Sequence, residues 1–242
     1  MPETAKKDYS ALYLPLAIVL AGVLIAGGLF FGLSKGGAAA AGGQPAAKAV
    51  NVKDVKTEGF PYIGKADAPL TMAFWSDFQC PFCKAVEVGG VDGIPVAPAI
   101  PEIVKKYVET GKLRIVFKNF VFLGQDSITA AEYDKAVWEL YPAKYYDWRT
   151  AMYEAQDEEG DQGFGDAASI DALNKKLGLD AAKIKALVAQ KKSAYDAEIQ
   201  EETAEGQSFG IQGTPGFIVG TKAIDGAQQL SAFTAAIDSQ LK

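Results

Sequence analysis

Histidine is absent from this 242-residue chain, and cysteine occurs only twice. A Cys₂His₂ or Cys₄ zinc site therefore cannot form within one chain, and neither a Ser–His nor a Cys–His catalytic pair is available. Positive charge is also scarce, since 30 acidic residues outnumber 24 basic residues. This balance argues against a nucleic-acid partner. We predict no bound metal and no cofactor.

The two cysteines, Cys80 and Cys83, form a C-x-x-C motif. At this spacing the two thiols can reach each other when the second lies on the first turn of a helix, and they can then alternate between dithiol and disulfide. A purely structural disulfide is the first alternative, but so short a loop provides little stabilisation. Half of a metal site shared between subunits is the second alternative. We predict a redox-active disulfide, Cys80–Cys83.

The residues that flank the motif place it at the start of a helix. An apolar run at 70–76 precedes the motif and is typical of a buried strand. Pro81 suits a first helical position, which puts Cys80 at the helix N-terminus. The free N–H groups and the dipole at that end favour thiolate over thiol. We therefore expect Cys80 to be the nucleophile and Cys83 to be the shielded, resolving thiol.

One long hydrophobic run, residues 11–33, carries no charge. As a helix it would be about 34 Å long, which is enough to cross a bilayer. A buried core helix is excluded because the run has no polar face. A cleaved signal peptide is the alternative, since small residues at 38–41 offer a cleavage site, but the run exceeds the usual apolar region of such peptides. We predict an uncleaved anchor in the lipid bilayer after a short segment, 1–10.

The orientation of this anchor follows from a small charge bias. Lys6 and Lys7 precede the hydrophobic run, and one lysine, Lys35, follows it. The positive-inside rule then places the N-terminus in the cytoplasm and the large C-terminal part outside the cell membrane. Residues 34–48, rich in glycine and alanine, are predicted to form a flexible linker. An oxidising compartment suits thiol–disulfide chemistry.

The remaining residues, 49–242, are predicted to form one domain. Residues 51–55 alternate in polarity and indicate a first strand, and residues 112–120 indicate a second core strand after the motif. From about 125 to 210 the apolar spacing is helical, and its aromatic residues are expected to be core packing. A strand hairpin and a closing helix follow. The order is strand, redox helix, strand, helical block, hairpin, helix.

This order resembles a thioredoxin fold with a helical insertion, an α/β fold. The segments 74–83 and 210–220 resemble those of DsbA-type thiol–disulfide oxidoreductases in their membrane-anchored form. The resemblance implies that Cys80 attacks and Cys83 resolves. It also implies a cis bond between Thr214 and Pro215, with Pro215 facing the disulfide and the Thr214 backbone pairing with an extended substrate. The alternative for Gly-Thr-Pro is an ordinary turn.

The motif departs from many relatives at two positions. Phe82 replaces the histidine that many relatives place between the cysteines, which indicates a less oxidising couple. Phe74 occupies the position where relatives often have a buried acid. Three charged residues lie near the motif in sequence, and we expect them to be solvated: Asp77, Lys84 and Glu87.

The predicted function is that of a protein thiol–disulfide oxidoreductase, tethered to the membrane, which introduces disulfides into secreted or surface proteins. Its partners would be thiol-containing substrates and a membrane redox protein that recycles the enzyme. One alternative is a reductase or isomerase kept reduced by a membrane electron donor. Another is a non-catalytic peptide-binding or chaperone module.

Overall fold

The computed structural model describes residues 49–157 and 161–241. The predicted anchor at 11–33 and the predicted linker at 34–48 lie outside these residues. None of the helices within the described ranges combines the length and the hydrophobicity that spanning a membrane requires.

A five-stranded mixed sheet forms the centre of the domain, with the order β1-β3-β2-β4-β5. Its central pair, β2 and β3, is parallel, and every other neighbouring pair is antiparallel. The strands are β1 (Tyr62–Ile63), β2 (Leu70–Ser76), β3 (Leu113–Asn119), β4 (Gly216–Val219) and β5 (Lys222–Asp225). Phe74 of β2 is in register with Phe117 of β3 and with Phe217 of β4. Because β2 is buried on both faces, its sequence is a continuous apolar run rather than an alternating one.

Seven α-helices surround the sheet within the described residues. They are α1 (Pro81–Glu87), α2 (Ile100–Ile103), α3 (Gln125–Leu140), α4 (Tyr145–Ala155), α5 (Ala167–Lys176), α6 (Ala181–Ser208) and α7 (Leu230–Asp238). A π-helical turn, Val104–Val108, continues α2. Helices α3 to α6 lie between β3 and β4 in the chain and form the insertion. The predicted fold, a strand–helix–strand unit and a hairpin–helix unit separated by a helical block, is confirmed.

The predicted first strand at 51–55 is wrong. These residues contain a 3₁₀ turn, Val52–Asp54, which is capped by the Asn51 side chain accepting the N–H of Lys53. Val52 and Val55 are buried with Ala73 on one face of the sheet. A single turn can also bury two valines on one side, so alternation over five residues did not distinguish it from a strand.

The larger hydrophobic core lies on the opposite face of the sheet, between the strands and helices α1 to α7. The Phe74 and Phe217 rings stack there with their centroids 4.3 Å apart. The predicted role of the insertion's aromatic residues as core packing is confirmed, since Tyr145 and Trp148 are fully buried. The insertion is therefore packed onto the redox half of the domain and does not form a separate core.

Candidate active site

Helix α1 begins directly after Cys80, which occupies the N-cap position with an extended backbone. Pro81 is the first helical residue, as predicted from its fixed φ and its missing N–H. The Cys80 carbonyl oxygen accepts the N–H groups of Cys83 and Lys84, both at 3.1 Å. The C-x-x-C spacing thus places both sulfurs on the first turn, at the carboxyl end of β2.

The second part of the site is the loop before β4. The peptide bond between Thr214 and Pro215 is cis, as the resemblance implies. The Cys80 thiol donates to the Thr214 carbonyl oxygen at 3.4 Å. Antiparallel pairing of β4 with β2 brings this loop to the motif, and the Gly226 N–H holds the Pro215 carbonyl at 2.8 Å. The two segments that the resemblance singled out therefore meet.

A cavity of about 300 Å³ opens beside this loop. Its lining includes Gly213, Thr214, Pro215 and the exposed Asp225. Because small residues line much of it, an extended chain can approach the backbone closely here. The predicted pairing of a substrate strand with the Thr214 backbone stays a prediction, which this shape favours.

The two thiols, both free in this structure, have different environments. The hydrogen bond with Cys83 lowers the pKa of Cys80 below its ordinary value, helped by Thr214 and by the backbone of the first helical turn, while burial opposes it. Burial, followed by the neighbouring Cys80 sulfur, raises the pKa of Cys83 well above its ordinary value. Cys80 is 3% exposed and Cys83 is fully buried. This asymmetry matches the predicted division into attacking and resolving thiols.

Two phenylalanines are exposed at this end of the molecule. Phe82, between the cysteines, is 48% exposed, and Phe122, in the loop after β3, is 55% exposed. The Phe122 N–H donates to the Asp77 carboxylate at 3.1 Å, so its loop is joined to the turn that precedes Cys80. Phe82 provides neither a charge nor a hydrogen-bond donor to the sulfurs. The helix terminus and Thr214 are what stabilise a thiolate here.

The expectation that Asp77 and Glu87 are solvated is wrong, because both are buried. Asp77 accepts the Ser127 hydroxyl at 2.6 Å and the N–H of Gln79 at 2.9 Å. Burial raises the pKa of Asp77, and these hydrogen bonds oppose the rise. Lys84 is partly buried, and its ammonium donates to the backbone carbonyl of Gln156.

Glu87 forms a buried ion pair with Arg149 of α4, with 2.8 Å between Oε1 and Nε. Arg149 also donates to the Ser76 hydroxyl at 2.8 Å and lies 5.1 Å from the centre of the Phe74 ring. Burial raises the pKa of Glu87, and Arg149 opposes the rise. Phe74 thus occupies the position of the family's acid, while a carboxylate reaches the interior from α1 instead.

Part of this pair was visible in the sequence. Glu87 follows Cys83 by four residues, so both side chains lie on one face of the helix, and a buried Cys83 implies a buried Glu87. No such signal existed for its partner, because Arg149 lies 62 residues further along the chain.

The family model described as thioredoxin matches residues 56–239 of this sequence. This chain belongs to the thioredoxin family. Among curated relatives of this thioredoxin-family protein, disulfide bond formation protein D of Bacillus subtilis is 25% identical over 206 residues, which cover 84% of this chain and 82% of the relative. The probable disulfide bond formation protein D of Bacillus anthracis is 24% identical and covers 78% and 84%.

Solved structures of thioredoxin-fold proteins agree with the fold. The crystal structure of oxidised BdbD from Bacillus subtilis matches with a TM-score of 0.65 at 25% identity, covering 80% of this chain and 98% of that chain. The thiol-disulfide exchange protein alpha-DsbA2 from Wolbachia pipientis matches with a TM-score of 0.63 at 23% identity, covering 78% and 89%. The predicted class, a DsbA-like protein thiol–disulfide oxidoreductase, is confirmed, and the names of the curated relatives agree with the introduction of disulfides.

Proposed function

We propose that this chain introduces disulfides into secreted or surface proteins by dithiol–disulfide exchange at Cys80 and Cys83. The observation that carries this proposal is the asymmetry of the two thiols. The sulfur with the lowered pKa, Cys80, is the one that contacts the loop of Thr214 and Pro215. A thiolate that is stabilised in the reduced enzyme makes the enzyme disulfide more oxidising.

In the oxidised enzyme, a substrate thiolate attacks the Cys80 sulfur and the Cys80–Cys83 bond breaks. Cys83 leaves as a thiolate and, because its pKa is raised, takes up a proton. A second substrate thiolate then attacks the substrate sulfur of the mixed disulfide and releases Cys80 as a thiolate. Two substrate thiols are thereby oxidised to one disulfide, and both electrons remain on the enzyme as two reduced cysteines. The lowered pKa of Cys80 makes it a good leaving group in this last step.

The substrate binds as an extended segment along the loop before β4. Its backbone pairs with that of Thr214, and Pro215 faces the disulfide. The cavity beside this loop has room for a side chain of the substrate. The exposed Phe82 gives the rim of the site an apolar surface.

The membrane attachment is part of the same proposal. Residues 11–33 anchor the chain in the bilayer after a short cytoplasmic segment, 1–10, and residues 34–48 link the anchor to the extracytoplasmic domain, 49–242. A membrane redox protein reoxidises Cys80 and Cys83. What supports this is the length of the uncharged run and the family's activity on thiols.

Two single variants test the chemistry. Cys80→Ser should abolish oxidation of a reduced model peptide, and Cys83→Ser should accumulate mixed disulfides that non-reducing gels detect. Turnover by Cys80→Ser would overturn the mechanism. The redox potential decides the direction of electron flow, since a value near about −120 mV is that of an oxidase and one near about −270 mV is that of a reductase.

The anchor is tested separately, by fractionating cells that produce the full chain. Membrane association that resists high salt and alkaline washing, together with retention of residues 11–33 by mass spectrometry, is expected. A soluble extracytoplasmic form that lacks these residues would show that the segment is a cleaved signal peptide.

A further inference from the structure

Gln156, the residue that follows α4, sends its side chain from the insertion to the redox motif. The side-chain nitrogen, Nε2, donates to the carbonyl oxygen of Phe78 at 2.6 Å and to that of Cys80 at 3.1 Å. The residue is only 4% exposed. In return, the Lys84 ammonium of α1 donates to the backbone carbonyl of Gln156. The motif and the end of α4 are therefore joined in both directions.

The Cys80 carbonyl is a critical point of attachment. It already accepts the N–H groups of Cys83 and Lys84, which begin α1. Gln156 adds a third donor to the same oxygen, which has lone pairs to share. This carbonyl belongs to the peptide plane that connects Cys80 to Pro81. Fixing that plane fixes the direction in which the Cys80 side chain leaves the backbone.

We propose that Gln156 is a positioning residue, which holds Cys80 where the N-terminus of α1 stabilises its thiolate. This inference rests on the proposed role of Cys80 as nucleophile. Gln156 does not touch the sulfur. It acts through the carbonyl groups on either side of Gln79, and Gln79 is itself held from the insertion, because its side-chain amide donates to the Phe164 carbonyl at 2.9 Å. The insertion is thus a part of the active site.

Replacement of Gln156 by methionine tests the proposal, because methionine keeps the length and flexibility of the side chain and removes both donors. The alkylation rate of Cys80 in the reduced enzyme at pH 6 should fall about three- to tenfold, since each lost hydrogen bond changes the thiolate equilibrium by about that factor. The equilibrium constant with glutathione should shift by a similar factor, toward a less oxidising couple.

Gln240 provides a matched control. Its side-chain nitrogen also donates to two backbone carbonyls, those of Val219 at 2.8 Å and Ala236 at 2.9 Å. It lies at the opposite end of β4 from Pro215, and it takes no part in the site described above. Gln240→Met should therefore lower stability to a similar degree and leave both the alkylation rate and the glutathione equilibrium unchanged.

Gln156→Asn is the conservative variant. Its amide is one methylene shorter and reaches one carbonyl at most, so its alkylation rate should lie between those of the native enzyme and Gln156→Met. If Gln156→Met does not fold, the asparagine variant decides the question. A folded Gln156 variant with native alkylation and native glutathione equilibrium would overturn the proposal, and so would an equal change in Gln240→Met. Turnover by Cys80→Ser would instead refute the proposed function.

Discussion

The thioredoxin core and the helical insertion contribute different things to the same site. The core, made of the sheet with α1 and α7, supplies the two sulfurs and the cis bond before Pro215. The insertion, α3 to α6, supplies the buried polar groups around them. These are Ser127 on Asp77, Arg149 on Glu87 and Ser76, and Gln156 on Phe78 and Cys80. The reactive atoms thus come from short segments of sequence, while the groups that set their environment come from elsewhere in the chain.

The insertion itself has two kinds of charged contact. On the side that faces the redox helix, Arg149 and Glu87 are both fully buried. On the outer side, pairs such as Lys191–Glu139 are well exposed, and solvent weakens them. If the insertion serves to hold the redox site, the inner contacts should matter much more than the outer ones.

The largest effect is expected at the buried ion pair. Arg149→Met leaves the Glu87 carboxylate buried without its partner, which should lower the free energy of unfolding by about 3–5 kcal/mol. Urea denaturation of the reduced protein at pH 7 measures this. The double variant Glu87→Gln, Arg149→Met removes both charges and should recover much of the loss. If the single variant is no less stable than the native protein, the insertion does not stabilise the redox half through this pair.

A smaller effect, dependent on pH, is expected at Asp77. Ser127→Ala removes the hydroxyl that donates to the Asp77 carboxylate, at a cost of about 1–3 kcal/mol. The pKa of Asp77 is already raised by burial, and the serine opposes that rise, so the variant should raise the pKa further. A raised acid pKa in the folded state costs stability only where the carboxylate is ionised. The loss should therefore be complete at neutral pH and should vanish as the pH falls below the ordinary value of 3.8.

Urea denaturation at a series of pH values follows this change. A loss that is the same at pH 3 and pH 7 would show that the hydroxyl matters only for packing. Thr110→Ala, which removes an exposed hydroxyl bonded to the Lys106 carbonyl at 2.8 Å, is the control and should show no such dependence on pH.

The smallest effect is expected on the outer side of the insertion. Lys191→Ala removes the ion pair with Glu139 and should change the free energy of unfolding by about 0.2–1 kcal/mol, because both side chains are solvated. Thermal unfolding at low and high salt measures it, and the small difference should shrink as salt rises. A loss as large as that of Arg149→Met would remove the contrast between the inner and outer contacts.

Much of the fold could be read from local patterns. The apolar run of β2, the position of Pro81 and the boundaries of the insertion depend on neighbouring residues, and each agreed with the structure. The errors arose where several structures share one pattern. Residues 51–55 showed the alternation of a strand and form a turn, because two buried valines suit either arrangement.

The candidate site was predicted in the same uneven way. Cys80, Cys83 and the Thr214–Pro215 segment came from motifs and a family resemblance, and the structure brings them together. Asp77 and Glu87 were assigned to solvent because charged residues are seldom buried without a partner. Their partners, Ser127 and Arg149, lie 50 and 62 residues further along the chain, which no local spacing reveals.

The sequence by itself determined the chemistry of this protein. With two cysteines at C-x-x-C spacing, a proline at the helix start and no histidine, thiol–disulfide exchange at a helix N-terminus was the prediction that its residues supported best. Only the tertiary structure decided which groups surround the sulfurs. Burial and long-range hydrogen bonds arise when distant segments pack, and Arg149 and Gln156 acquire their roles from that packing alone.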